Sequence, residues 1–182
     1  DIAIEAYNNV YGGNFCARLN MNLREEKHWT YGASAFLYGA RGQRPYISYT
    51  SVQTDKTKET IQEILAELKG ITGEKPVTEE ELSRVKRQTI LELPGSRETM
   101  TAVGSSILNL VEFDLPDNYY DTYVSKVEAL TTEDLDQAAR SIISPNQQVW
   151  IIVGDRAAIE DDIRSLALGP IHHIDADGKP TV

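Results

Sequence analysis

The stretch of sequence that decides the fold runs from residue 9 to residue 33 and reads NVYGGNFCARLNMNLREEKHWTYGA. Its apolar residues recur at four-residue intervals, the spacing of one face of an α-helix: Phe15, Leu19 and Leu23. The helical pattern covers residues 2–26, and Gly12 and Gly13 interrupt it where a helix would bend or break. We therefore predict two helical pieces with a bend between them.

The sequence that follows predicts a β-hairpin and then a run of helices. Residues 29–38 and 46–52 are rich in aromatic and β-branched side chains and flank a turn-like segment at 40–45, which is the pattern of two strands joined by a turn. Helical periodicity then recurs after four N-cap signals: Asp55, Thr78 in a capping box, Thr132 and Asp155. The short apolar run at 149–153 is typical of a strand buried on both faces.

These elements predict an α+β fold, in which a mostly antiparallel sheet packs against a layer of helices. With 182 residues, of which 41% are hydrophobic, the chain is long enough to bury one core. We expect a single domain over residues 1–170 and a polar, loosely held tail over residues 171–182.

The charge and the cysteine content exclude several kinds of partner and site. The formal net charge is -10, so no basic field is present to attract phosphates, and we expect no nucleic acid as a partner. The longest apolar run, residues 149–153, is too short to span a bilayer, so we expect no membrane insertion. The only cysteine, Cys16, allows no internal disulfide, and its place in the helical pattern predicts a small core residue.

The sequence offers no catalytic zinc site of its own. A catalytic zinc ion needs about three protein ligands at defined spacings, and the only histidines are His28, His172 and His173. Neither the H-E-x-x-H motif nor its inverted form H-x-x-E-H occurs, and nucleophile-elbow and phosphate-binding motifs are also absent. We therefore predict no metal ligand and no catalytic residue in this chain, and we interpret the three histidines as surface or half-buried residues.

Residues 9–33 resemble the C-terminal, non-catalytic domains of the pitrilysin/insulinase family of zinc metallopeptidases. In that family an asparagine-containing helix reaches a Gly-Gly pair, continues through an R-L element to L-R-E, and is followed by a tyrosine on the next strand. The matching positions here are Gly12 and Gly13, Arg18 and Leu19, Leu23 to Glu25, and Tyr31. The likeness continues at residues 115–120, 130–135 and 153–155, so it covers the chain from about residue 6 to residue 155.

The resemblance implies a clamshell of two halves, each made of two similar α+β domains, in which the first domain binds zinc through H-x-x-E-H. This chain would belong to the half that lacks zinc, and it would be inactive alone. Its implied partners are the peptide substrate and the zinc-binding half, on the same polypeptide or on a separate subunit. The family's domain begins with an edge strand, whereas this chain begins inside the first helix. An unpaired sheet edge would favour a homodimer of the fragment.

The resemblance also implies a pair of substrate-binding residues, Arg24 and Tyr31. In active members an arginine and, seven residues later, a tyrosine face the zinc across the closed chamber, and Arg24 and Tyr31 have this spacing. The phenol would stabilise the charge that develops on the peptide carbonyl oxygen, and the guanidinium would bind carbonyls or a carboxylate. The alternatives are a surface arginine paired with a carboxylate and a half-buried strand tyrosine. Gly12 and Gly13 would lie in a loop near the chamber wall, although a helix bend explains them equally well.

Two functions stay open at this point. The first is the substrate-binding domain of a zinc metalloendopeptidase that hydrolyses peptides in a closed chamber. The alternative is a structural or binding domain of an inactive relative, such as a respiratory-complex core protein or a regulatory subunit. A self-sufficient enzyme is disfavoured because zinc ligands are too few. The tail at 174–180 resembles the ending of the long bacterial members and favours the bacterial periplasm over the cytoplasm.

Overall fold

The computed structural model describes residues 1–181, which form eight helices, numbered α1 to α8, and a two-stranded sheet. The helices are Ile2–Tyr11 (α1), Arg18–Asn20 with its π-helical continuation Met21–Glu26 (α2), Thr57–Ile71 (α3), Glu79–Glu92 (α4), Met100–Glu112 (α5), Tyr123–Ala129 (α6), Thr132–Ile142 (α7) and Arg156–Ser165 (α8). The strands Thr30–Leu37 (β1) and Tyr46–Val52 (β2) pair antiparallel. The predicted α+β fold class and the predicted hairpin are confirmed.

The core lies between α1, the inner face of the sheet, and helices α3, α4 and α7. Helix α1 is central, because it contacts α4, α6 and α7 on one side and β1 on the other. The largest fully buried side chains are Tyr7, Tyr11, Leu19, Leu23, Ile71, Leu135, Val10, Val85 and Val127. Within residues 1–181, no helix is both long and apolar enough to cross a membrane.

The predicted bend after α1 is confirmed, and close packing against the sheet explains it. Helix α1 ends at Tyr11, and the Ala35 amide of β1 donates a hydrogen bond to the Gly12 carbonyl oxygen at 2.8 Å. A Cβ added to Gly12 would lie 2.6 Å from the Cβ of Ala35 and 2.8 Å from its backbone nitrogen. Contacts this short are not tolerated, so only glycine lets the end of α1 approach the strand at this point.

Replacing Gly12 with alanine is expected to destabilise the fold by about 1–3 kcal/mol, because the added Cβ must push α1 and β1 apart. The matched control is Gly104→Ala in α5, where an added Cβ meets no atom within 4 Å. Alanine there should stabilise the protein by up to about 1 kcal/mol through its helix propensity. Urea unfolding of the two variants measures the difference, and changes of the same sign would contradict the close-packing explanation.

The second helical piece begins later than the sequence pattern predicts. Helix α2 starts at Arg18, so Phe15 and Cys16 precede it and are exposed. The prediction of Cys16 as a core residue was wrong, because the loop between the two helical pieces breaks the helical phase. For the same reason Phe15 does not lie on the predicted helix face. The last part of α2 is π-helical, with the Lys27 amide donating to the Asn22 carbonyl oxygen at 3.0 Å.

Two of the four predicted N-caps are confirmed and two are wrong. Thr78 caps α4 in a capping box, and Asp155 caps α8. Helix α7 is capped by Thr131 rather than Thr132, because both threonines fit the sequence pattern and only the first has the extended backbone of a cap. Helix α3 follows a 3-10 turn at Thr54–Lys56, in which Asp55 makes no capping bond.

The prediction of a strand buried on both faces at residues 149–153 was wrong. Val149, Ile151 and Val153 are 90%, 81% and 95% exposed, whereas Trp150 packs against the core. In the described part of the chain β1 and β2 pair only with each other. The segment therefore has no neighbouring strand, and one of its sides stays uncovered.

The polar tail contains a tight turn. Ile174 and Pro180 form an isolated antiparallel bridge, and Asp175 Oδ1 accepts hydrogen bonds from the amides of Asp177 and Lys179 at 2.9 and 2.8 Å. The domain boundary at residue 170 stays a prediction. Val182, the last residue of the tail, lies outside the described residues.

Candidate functional site

Arg24 and Tyr31, the two predicted substrate-binding residues, lie on α2 and β1, and a tight connection joins these two elements. Arg24 is in the π-helical part of α2, and Tyr31 is the second residue of β1. The His28 amide donates to the Arg24 carbonyl oxygen at 3.2 Å, and the Trp29 amide donates to the Leu23 carbonyl oxygen at 3.0 Å. The corner between helix and strand is therefore fixed by its backbone, and it carries both residues.

Tyr31 is presented to solvent at an irregularity of the sheet. The register of β1 against β2 shifts between Thr30 and Ala33, and Tyr31 lies inside this bulge with 95% of its surface exposed. The Gly32 amide donates to the Thr30 hydroxyl oxygen, and the Thr50 hydroxyl donates to the Gly32 carbonyl oxygen, both at 3.1 Å. Bulges redirect side chains beside functional sites. The alternative of a half-buried strand tyrosine was wrong.

The Arg24 guanidinium lies over an aromatic ring. Its Cζ is 4.6 Å from the centroid of the Phe15 ring, a cation–π contact worth about 0.5–1 kcal/mol at an exposed site. Its Nε is 3.4 Å from Oε1 of Glu25, so the alternative of a carboxylate partner is confirmed, although exposed pairs of this kind stabilise a protein little. The ring supports one face of the guanidinium, while its N–H groups make no hydrogen bond within residues 1–181.

The loop that carries Phe15 is anchored to α4. The Arg18 guanidinium donates to both carboxylate oxygens of Glu81 at 2.6 Å, and to two backbone carbonyl oxygens of the segment before α4 at 2.6 and 2.8 Å. Arg84 of α4 donates to the Cys16 carbonyl oxygen at 2.7 Å. Two arginines therefore hold the loop between α1 and α2 in one place.

Two residues of this corner were missed by the sequence prediction. Phe15 was assigned to one face of a helix, and Asn20 was not singled out at all. Asn20 is only 4% exposed, and a buried polar side chain needs hydrogen-bond partners. No signal in the sequence marks Asn20, because Asn14 and Asn22 lie in the same stretch and its burial follows only from packing.

Packing accounts for Gly12 and Gly13 without a ligand. Gly12 lies against Ala35, as described above, and a Cβ added to Gly13 would lie 2.6 Å from the side chain of Asn9 and 2.7 Å from that of Asn8. Gly12 is therefore needed for the approach to the strand, and at Gly13 a Cβ would also crowd the backbone oxygen of Asn8 at 3.0 Å. A role for them in a chamber loop stays a prediction.

Zinc does not fit the described residues. No group of three or more His, Cys, Asp or Glu side chains within residues 1–181 is placed to hold a metal ion. His28 Nδ1 lies 3.0 Å from the Arg24 carbonyl oxygen, and His173 Nε2 lies 3.4 Å from Oε1 of Glu160, so these two imidazoles have protein partners. The chemistry open to Arg24 and Tyr31 is the donation of hydrogen bonds to a bound molecule.

Comparison with known proteins relates both the sequence and the fold to one family. Residues 1–89 match the family described as the peptidase M16 inactive domain, and no curated protein sequence matches the chain. The chain is similar to the solved peptidase M16 inactive domain from Pseudomonas fluorescens, with 22% identity and a TM-score of 0.69, over 79% of this chain and 34% of that one. It is also similar to a protease from Helicobacter pylori (16% identity, TM-score 0.69, 77% and 33% of the two chains) and to the periplasmic protease PqqL from Escherichia coli (17%, 0.61, 76% and 15%).

The matched segment contains the candidate site. The chain spans about a third of the length of the first two solved structures, and at these identities the likeness shows the fold. Residues 1–89 include α1, α2, the hairpin and α3, and therefore also the corner that holds Arg24 and Tyr31. Residues 1–89 match the peptidase M16 inactive-domain family, as the resemblance of residues 9–33 predicted, and the chain has the fold of the solved domain from Pseudomonas fluorescens over 79% of its length.

Proposed function

We propose that this chain is the substrate-binding, non-catalytic domain of a zinc metalloendopeptidase, and that it acts when paired with a zinc-bearing M16 half. The observation that carries the proposal is Tyr31, which is 95% exposed at a bulge of β1 and whose hydroxyl makes no hydrogen bond within residues 1–181. An aromatic residue that contributes so little to the core is available for a ligand. Arg24 supports the same interpretation, because its guanidinium makes no hydrogen bond within these residues and has only the 3.4 Å ion pair with Glu25.

The two side chains suit a peptide substrate. The Tyr31 phenol can donate a hydrogen bond to the oxygen of the peptide bond under attack, where negative charge develops. The planar Arg24 guanidinium can bind a substrate carbonyl or carboxylate through two parallel N–H groups. Neither residue acts as a base or a nucleophile in this proposal, and the zinc chemistry belongs to the other half.

The exposed apolar surface supports an obligatory partner. Helix α5 has no buried residue, and it exposes a set of large apolar side chains: Met100, Val103, Ile107, Leu108 and Val111. Apolar patches of this kind mark surfaces that contact other protein. Since the chain spans about a third of the solved structures it matches, we propose that another part of an M16 protein covers this face. A periplasmic location is proposed as well, supported by the similarity to the periplasmic protease PqqL.

The test is reconstitution of peptidase activity. The purified chain alone, a zinc-bearing M16 half with the H-x-x-E-H motif alone, and the two together are assayed on an unstructured fluorogenic peptide. Only the combination is expected to cleave, and chelation of zinc should abolish the cleavage. If the combination forms a complex but cleaves no faster than the zinc-bearing half alone, the chain is a structural domain and the proposal fails.

Replacing Arg24 with alanine in the reconstituted peptidase is expected to lower kcat/KM about 10-fold, mainly through a higher KM, because a guanidinium that binds the substrate before and during the reaction contributes uniform binding. Arg24→Lys should not restore the wild-type value, since lysine keeps the charge and lacks the planar pair of donors. Steady-state kinetics measures both variants. Full activity of the lysine variant would show that charge alone matters at this position.

A further inference from the structure

Asn20 connects the two halves of the candidate site through its side-chain amide. Its Nδ2 donates to the Phe15 carbonyl oxygen at 2.8 Å, and its Oδ1 accepts from the Ala33 amide at 3.0 Å. Phe15 belongs to the loop before α2, whereas Ala33 ends the bulge of β1 that presents Tyr31. One buried side chain thus bridges the loop and the strand.

The contact of Phe15 extends this bridge to Arg24. Phe15 exposes 55% of its surface, so its ring is not held in the core. The ring lies instead under the Arg24 guanidinium, 4.6 Å from Cζ. The backbone of Phe15 is held on one side by Asn20, and the loop is held on the other by Arg18 and its ion pair with Glu81. The place of the ring, and with it the orientation of the guanidinium, depends on these anchors.

We propose that Asn20 is a positioning residue that acts through Phe15: it fixes the aromatic platform of Arg24 and the bulge of Tyr31 relative to each other, so that both donors reach one bound peptide. The expected loss of peptidase activity rests on the proposed function. The orientation of Arg24 by Asn20 and Phe15 rests only on the geometry of this chain. Catalytic sites lose rate steeply when supporting residues let a donor move by about 1 Å. Asn20 and Phe15 touch no substrate atom in this scheme.

The mechanism is tested without any peptidase assay. In the chain with ¹⁵N-labelled arginine, the Nε–Hε and Hδ resonances of Arg24 should carry a ring-current shift from Phe15, and Phe15→Leu should abolish that shift. Asn20→Ala should reduce the shift by at least half. The matched control is Asn22→Ala, on the same helix, whose amide donates to Glu63 and Glu67 and not to the loop or the strand; it should leave the Arg24 resonances in place.

The consequence is tested in the reconstituted peptidase. Asn20→Ala and Phe15→Leu should each lower kcat/KM roughly 10-fold, whereas Phe15→Tyr and Asn22→Ala should retain most of the activity. In an Arg24→Ala background, Phe15→Leu should cause no further loss, because its effect passes through the guanidinium. An additional loss of the full 10-fold in that background would overturn the positioning role of Phe15.

The outcomes separate the inference from the proposed function. If Arg24→Ala and Tyr31→Phe leave the peptidase unchanged, the proposed function fails, and the resonances still decide whether Asn20 orients Arg24. If Phe15→Leu or Asn20→Ala leaves the Arg24 resonances unmoved, or if Asn22→Ala moves them equally, the positioning role of Asn20 is overturned. Phe15 is exposed, so the Phe15→Leu variant should fold. It keeps the test decisive even if Asn20→Ala does not fold.

Discussion

Tyr31→Phe in the reconstituted peptidase is expected to lower kcat by about 10²-fold or more and to leave KM nearly unchanged. The phenol hydroxyl would contribute mainly when negative charge develops on the peptide oxygen, and removal of one such donor typically costs about 10²–10³ in rate. The folded state should lose nothing, because Tyr31 is 95% exposed and its hydroxyl has no hydrogen bond within residues 1–181. Steady-state kinetics and thermal unfolding of the same samples measure the two quantities.

The control for this result is Tyr49→Phe. Tyr49 lies on the partner strand β2 and is also exposed, and its hydroxyl is 3.0 Å from Oγ of Ser51. This substitution removes a phenol hydroxyl from the same hairpin and leaves the bulge of β1 unchanged. Activity near wild type is expected for Tyr49→Phe. A kcat for Tyr31→Phe within about twofold of the Tyr49→Phe value would exclude Tyr31 as a donor and would favour the structural domain.

The local signals in the sequence predicted most of the fold. The capping box at Thr78, the apolar spacing of α3 and the strand composition of the hairpin each depend on neighbours within a few residues, and each is confirmed. The errors arose where the outcome depends on distant parts of the chain. Residues 149–153 have the composition of a buried strand, yet a strand is buried only if other strands flank it. Phe15 fits a helical stripe in spacing, but the chain leaves the helix before it.

The candidate site was also only partly predictable from the sequence. Arg24 and Tyr31 were found only because the motif around them resembles a known family, since neither a lone arginine nor a lone tyrosine has a local signature of function. The supporting contacts were not predictable. The hydrogen bonds of Asn20 join residues 15 and 33, and the ion pair of Arg18 reaches residue 81. Such contacts exist only after the elements have packed, so periodicity and spacing in the sequence contain no information on them.

Arg18→Met is expected to destabilise the fold by about 2–4 kcal/mol. The side chains of Arg18 and Glu81 are only 16% and 19% exposed, and removal of one partner leaves a carboxylate that is largely shielded from water and no longer paired. Methionine keeps an unbranched apolar side chain, so the measured loss of stability comes from the missing guanidinium and its hydrogen bonds. The control is Arg156→Met in α8, whose partner is Glu160 and whose side chain is 59% exposed; it should cost less than about 1 kcal/mol.

The pH dependence of stability identifies the same pair. Burial alone would raise the pKa of Glu81, but hydrogen bonds from Arg18 and from the Thr78 backbone outweigh burial and hold the pKa below its ordinary value of 4.5. A carboxyl with a lowered pKa stabilises the folded state above its unfolded-state pKa, and the contribution disappears as the pH falls through the folded-state pKa. Urea unfolding of the wild type should therefore show a loss of stability below about pH 4.5, and this loss should be smaller in Arg18→Met.

In Arg18→Met/Glu81→Gln the unpaired charge is gone, so part of the lost stability at pH 7 should return. If the double variant is no more stable than Arg18→Met, the destabilisation comes from lost packing and not from the unpaired carboxylate.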